Sequence, residues 1–172
     1  MVKYTVKTLT AAEKEKFLRE HLRHRLTLLR TLRERTKIAY HFQGQGDIAR
    51  CVKDSNLMAV RLLLDFLGLK GHFNGSDFVL KRNPRNPKFP DDVKIDQFIG
   101  KLLKVDDVPA SKRKVLAGVY MRADKELAHL TLTFNKEFNE PARLIEAATA
   151  VEELLKKFLY EPLREPLPEM DA

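Results

Sequence analysis

Cysteine is nearly missing from this chain: Cys51 is the only one in 172 residues, so no internal disulfide can form. The opening stretch MVKYTVKTLT has neither the apolar centre nor the small-residue cleavage site of a secretory signal, and the expected location is the cytoplasm. Also lacking is any apolar run close to the roughly 20 residues that cross a bilayer. The longest, around Leu57 to Leu67, is interrupted by Arg61 and Asp65, so no membrane span is expected. There is no Gly-rich phosphate loop, no paired-cysteine zinc pattern and no Gly-x-Ser-x-Gly elbow, which removes the common signatures of nucleotide, zinc and acyl-transfer chemistry. His21 and His24 lie one turn apart, but nothing nearby completes a set of ligands. Neither a metal nor another cofactor is expected. Internal repeats and low-complexity tracts are missing as well.

What is present describes a globular protein. Hydrophobic residues make up 44% and charged residues 33% of the chain, and 172 residues fit one domain with a proper core. Net charge is +8 and unevenly spread. Residues 1–53 carry 13 Lys and Arg against 5 Asp and Glu, whereas residues 140–172 carry 4 against 8. A polyanion such as RNA would be drawn to the amino-terminal surface through phosphate neutralisation and counterion release. A solvated basic helix face accounts for the same charge without any ligand.

Helical periodicity dominates. Thr10 with Glu13 matches a capping box, and a first helix is expected from Thr10 to about Tyr40. Its stripe is Leu18, Leu22, Leu26, Leu29 and Leu32, with Arg19, Arg23, Arg30 and Arg33 on other faces. A second helix starts at Asp47 and ends at Gly68 or Gly71, with Ile48, Cys51, Ser55, Ala59, Leu62 and Phe66 along one side. Cys51 would then be a small buried thiol. Prolines and glycines make residues 69–91 a long irregular loop, whose Arg82 and Arg85 are candidate nucleic-acid contacts. A third helix is expected over Asp92 to Val105, with Ile95, Phe98, Ile99, Leu102 and Leu103 as its buried side. A fourth follows Pro109 with Leu116, Val119, Ala123, Leu127 and Leu130 inward. The fifth, Pro141 to Tyr160, turns in Leu144, Ala148, Val151, Leu155 and Phe158. The fold predicted is an all-α single-domain bundle of about five helices over residues 1–161, followed by an extended acidic tail, 162–172.

Chemistry points to the fourth helix. Arg122 and His129 are seven apart, which on an unbroken helix puts them within about 20° of one face and roughly 10 Å apart along the axis. Histidine titrates near neutrality, and arginine offers a permanently charged fork to a phosphate. Together they are the minimum for attack by an RNA 2′-hydroxyl on its own phosphate. The ordinary account of such a pair is a surface ion-pair arginine and a hydrogen-bonded histidine. From the second helix, Asn56 is a candidate contact to the site, while Arg61 and Asp65, four apart, are expected to pair with each other.

An Arg followed after four to six residues by His, late in a small helical bundle, resembles the motif of the HEPN superfamily. Asp124-Lys125 with Ala128-His129-Leu130-Thr131 is similar to the Asn-Lys and Ala-His-Leu-Thr of bacterial HEPN-like proteins, and residues 59–67 resemble the helix before that motif. The resemblance covers roughly residues 48–134. It implies a homodimeric, metal-independent endoribonuclease with Arg122 and His129 catalytic, Asp124 and Lys125 beside the substrate, and a protein antitoxin or regulator as a further partner. Ala123 departs from the polar residue that often follows the arginine in active members. The superfamily also includes non-catalytic modules that bind a nucleotide, an RNA or a protein.

Overall fold

The capping box is in place. Thr10 Oγ1 accepts from the Glu13 amide at 3.3 Å, and Glu13 Oε2 accepts from the Thr10 amide at 2.9 Å. From this cap rises α1, residues 11–35, whose turns at Phe17–Leu22 widen to π geometry before Arg23–Arg35. This computed structural model describes residues 7–35, 46–83, 92–127 and 141–169. The expected extension of α1 to Tyr40 lies outside the described residues. Leu22, Leu26 and Leu29 are buried as the stripe requires, with Leu18 packed at its edge. Arg30 is not on an outer face. It follows Leu26 by four and lies at the margin of the stripe, where it is buried against the last helix.

The second helix, α2, spans Gly46–Leu67. Its buried side is rotated from the expected one: Leu57, Val60, Leu63, Leu64 and Leu67 are inside, while Leu62 is 36% exposed and Cys51 is exposed. The helix carries two apolar stripes of similar spacing, and the one richer in leucine faces the core. Ala59 and Phe66 are buried too, because α2 has helices on several sides of it.

Gly68, with φ of 82°, ends α2 in the left-handed conformation. The chain then enters a β-hairpin, where an irregular loop was expected. Strand β1, Leu69–Phe73, pairs antiparallel with β2, Phe78–Arg82, in a register that sets Lys70 opposite Lys81 and Gly71 opposite Leu80. Asn74 and Gly75 make the turn: Asn74 Oδ1 accepts from the Ser76 and Asp77 amides at 3.1 and 2.8 Å, and Gly75 has φ of 99°. Residues 84–91, including Arg85, lie outside the described residues.

The expected third helix shrinks to one turn, α3, Asp96–Ile99, closed by Gly100 at φ of 74°. Ile95, Leu102 and Leu103 are buried as expected. What keeps this segment from staying helical is its work at the end of α2. The Ile95 amide donates to the Phe66 carbonyl at 2.9 Å and the Leu103 amide to the Leu67 carbonyl at 3.2 Å, satisfying carbonyls that a helix end leaves open. A 3-10 turn at Val105–Asp107 leads to α4, residues 110–127, regular over Ala110–Arg122 and π-helical over Ala123–Leu127. The last helix, α5, comprises Pro141–Leu155, the π-helical Lys156–Tyr160 and the short Glu161–Leu163.

The described residues from Glu165 on are without helix or strand, as expected of an extended segment, and they are fastened to the helices. Arg164 takes φ of 57°, the Glu165 amide donates back to the Tyr160 carbonyl at 3.0 Å, and Leu167 packs on the core. Arg30 Nη1 then donates to the Pro168 carbonyl at 2.5 Å, and its Nε and Nη2 reach Glu152 Oε1 of α5 at 2.8 and 2.5 Å. The architecture is mostly helical, with α2 packed on α1, α4 and α5 and a two-stranded sheet laid on α4. It is therefore not purely α-helical.

Candidate functional site

Arg122 is the last residue of the regular part of α4. The apolar run Val115 to Val119 turns this stretch into the core, and Arg122 is carried inward with it, leaving 6% of it exposed beside a fully buried Ala123. Its charged head is thus held within the protein. His129, the other half of the motif, lies outside the described residues.

The turns after Arg122 are fastened to α2. Arg61 Nη2 lies 3.1 Å from Asp124 Oδ1, and the same guanidinium stands 6.0 Å from the centre of the Tyr120 ring. Tyr120 donates its hydroxyl to Asp65 Oδ1 at 2.9 Å, and Asn83, just past β2, donates to that oxygen at 2.9 Å. Arg61 and Asp65 each have a partner outside α2, in place of the pairing expected within it. Burial pushes the Asp65 carboxyl above its usual range, against the hydrogen bonds from Tyr120 and the nearby charge of Arg61. The Tyr120 hydroxyl is also raised, by burial first and then by the Asp65 charge. Arg61 Nε is buried without a hydrogen-bond partner among the described residues.

The remaining candidates are dispersed. Lys125 is exposed on the π-helical turns. Asn56 is fully buried and turned to α1, its Nδ2 donating to the Leu29 carbonyl at 2.8 Å, so it acts as a strut between two helices. Arg82 is exposed at the end of β2, on the rim of an open cavity of about 540 Å³. Arg85 lies outside the described residues. His21 and His24 are exposed, the former with its ring 5.7 Å from that of Phe17. No group of three or more His, Cys, Asp or Glu arranged to hold a metal occurs among the described residues. No helix among them is long and apolar enough to cross a membrane.

Tyr120 and Asn83 are the members of this network that the sequence did not single out. Tyr120 precedes Arg122 by two residues and reads as one more apolar residue of α4, while Asn83 sits in a stretch dominated by prolines. The packing of α4 on α2 brings Tyr120 to Asp65, and the return of the hairpin brings Asn83 there. Comparison with protein-family models, with curated proteins and with solved structures finds no match for this chain.

Proposed function

We propose that this chain is an RNA-cleaving helical bundle of HEPN type, in which Arg122 and His129 act on a phosphodiester. The observation that carries the reading is the position of Arg122: a permanently charged fork held inside the protein, at the junction where α4 widens and Asp124 is fixed by Arg61. A charge held in advance within a water-poor site stabilises a developing phosphorane far better than one waving in solvent. Asp124 and Lys125, on the next turn, are the polar residues beside that charge.

In this scheme the RNA 2′-oxygen attacks the adjacent phosphorus as His129 accepts its proton. The bond from phosphorus to the 5′-oxygen breaks, and that oxygen takes a proton from an imidazolium. The products are a 2′,3′-cyclic phosphate and a 5′-hydroxyl, and the proton-transfer and charge-stabilising groups are all side chains. One chain supplies one such histidine. A twofold homodimer with α4 at its interface would bring a second, serving as acid while the first serves as base. A protein antitoxin or regulator would act by covering the same face.

A second reading has support in the same residue. Arginine this deeply buried also fits a structural strut, and Ala123 after it lacks the polar group common in active members. On that reading the chain is a non-catalytic module that binds a nucleotide, an RNA or a protein. Incubation with single-stranded RNA in EDTA separates the two. Cleavage to cyclic-phosphate ends supports the enzyme, and retention of intact RNA supports the module.

A further inference from the structure

Three cations share one cavity without a carboxylate partner. Elsewhere Arg19 pairs with Glu15, Arg30 and Arg33 with Glu152, Lys112 with Glu146, and Arg113 with Asp106. Arg82, Lys101 and Lys104 form no ion pair among the described residues, and all three line the open cavity of about 540 Å³ at the end of β2. Like charges gathered around one hollow repel one another, so the fold gains nothing from the cluster, while an anion entering the hollow meets a focused positive field.

The walls are fixed by the backbone. Three segments meet at Gly68, whose carbonyl accepts from the Asn83 amide at 2.7 Å and so anchors the residue next to Arg82. A Cβ on Gly68 would come within 2.9 Å of Leu102 Cδ2, so Leu102 packs directly against that glycine. The Leu103 amide donates to the Leu67 carbonyl at 3.2 Å, and Leu102 and Leu103 are both buried. Lys101 and Lys104 flank this buried pair and are exposed on either side of it. Side chains that start from pinned backbone lose less freedom when a ligand orders them.

Two carboxylates share the lining, and both are engaged. Asp107 Oδ2 accepts from the Lys104 amide at 2.7 Å, and Asp96, in the first turn of α3, also has a partner. Donors are left over in the backbone as well. The amides of Lys101 and Leu102 follow the left-handed Gly100 and donate to no acceptor among the described residues. Three unpaired cations and two open amides, with Leu102 as the one large apolar side chain among the described lining, suit an anion dense in oxygen. A phosphate is such an anion, taking charge-assisted hydrogen bonds from arginine, lysine and backbone together. The volume of about 540 Å³ falls within the roughly 300–1,000 Å³ of small-molecule sites.

We propose that this cavity is a binding site for a small phosphorylated ligand, with Arg82, Lys101 and Lys104 on the phosphate oxygens and the Lys101 and Leu102 amides completing the set. The site shares no residue with the Arg122 region and holds whether or not the chain cleaves RNA. Free pyrophosphate and a nucleoside monophosphate would meet the same donors.

The test is proton–nitrogen NMR of the full chain titrated with pyrophosphate, with a nucleoside monophosphate and with a single-stranded RNA, and affinities are taken from calorimetry. The variants are Lys101→Gln/Lys104→Gln, Arg82→Gln, and Lys156→Gln/Lys157→Gln on α5 as a charge-matched control. All five side chains are exposed, and thermal melting confirms the fold of each variant. Pyrophosphate should bind saturably and move the Lys101 and Leu102 amides most. Lys101→Gln/Lys104→Gln should weaken it at least about tenfold, Arg82→Gln about fivefold, and the control less than about twofold. A nucleoside monophosphate that moves the same amides and binds more tightly than pyrophosphate identifies a nucleotide as the ligand; the reverse order identifies a phosphate group without a base. Equal weakening in the control, or shifts scattered over the exposed lysines, overturns the site as a diffuse effect of net charge. RNA bound while neither small probe moves Lys101 and Leu102 overturns it too, and leaves the RNA reading standing. The wild-type shifts decide by themselves if a variant fails to fold.

Discussion

Arg61 and Asp124 form one ion pair, 3.1 Å between Nη2 and Oδ1, that ties α2 to the turn of α4 following Arg122. Both side chains are about a quarter exposed, at 24% and 29%, so the pair is screened less than one on the open surface. Replacing Arg61 by Ala should lower stability by about 1–2 kcal/mol, since the contact with the Tyr120 ring goes with the ion pair. A double-mutant cycle with Asp124→Asn, read by urea unfolding, should return a coupling of about 1 kcal/mol. A coupling near zero would mean that the pair does not hold this turn.

The hairpin depends on Gly71. A Cβ at this position would run into the Ala117 carbonyl oxygen and approach the Tyr120 Cβ at 3.0 Å, so the strand meets α4 backbone to backbone. Gly71→Ala should destabilise by about 1–3 kcal/mol, as overpacking does. It should also pull Asn83 from Asp65, because Asn83 reaches that carboxylate from the end of β2. An unchanged urea midpoint would show that the hairpin sits less tightly than described.

Much of the fold could be read from the sequence, and the losses share a cause. The capping box at Thr10, the stripe Leu22, Leu26 and Leu29 and the inward side of α5 follow from local chemistry and one dominant apolar face. The α2 stripe went wrong because that helix is apolar on more than one side, and the choice between sides belongs to its neighbours. The hairpin was hidden by Pro84, Pro87 and Pro90, which mark a loop but lie after β2; the Asn74-Gly75 turn was the available signal. Arg122 stood out in the sequence for its spacing to His129, and nothing in that spacing told of its burial. The partners of Arg61 and Asp65 arise from tertiary packing, which helical spacing cannot reveal.

Two carboxylates should respond to acid in opposite directions. Glu13 is held down to about 2 from 4.5, chiefly by its hydrogen bond from Lys7 and then by those from Thr10, so its contribution is present above 4.5 and lost as pH falls toward 2. Asp65 is raised, so the folded chain holds that proton more tightly than the unfolded one. Its favourable contribution is present below its ordinary 3.8 and is lost as pH rises through the raised value. Asp65→Asn should therefore be no less stable than wild type at pH 7, and should lose ground to it as pH falls toward 4. A variant whose difference from wild type is constant over that range would remove burial as the controlling effect at Asp65.

Arg30 and Glu152 join α1 to α5 with only 8% and 15% of their side chains exposed. Removing one partner leaves the other charged in a poor dielectric, and Arg30→Ala should cost about 3–5 kcal/mol. The Pro168 carbonyl loses its donor in the same variant, so residues near 168 should become susceptible to limited proteolysis before the helices do. Equal protection of this segment in variant and wild type would contradict its docking through Arg30.

The central claim is that Arg122 and His129 cleave RNA, and the most direct measurement is cleavage of a single-stranded RNA in EDTA, with product ends identified by mass spectrometry. Wild type should leave 2′,3′-cyclic phosphate and 5′-hydroxyl ends, and His129→Ala should lower the rate by about 10²–10⁴-fold while unfolding at an unchanged urea concentration. Arg122→Lys keeps the buried charge but loses the planar fork, and should lower the rate by about 10²–10³-fold. Sedimentation of the same samples should show a homodimer. RNA left intact by folded wild-type protein, or cut equally well by His129→Ala, would contradict the account.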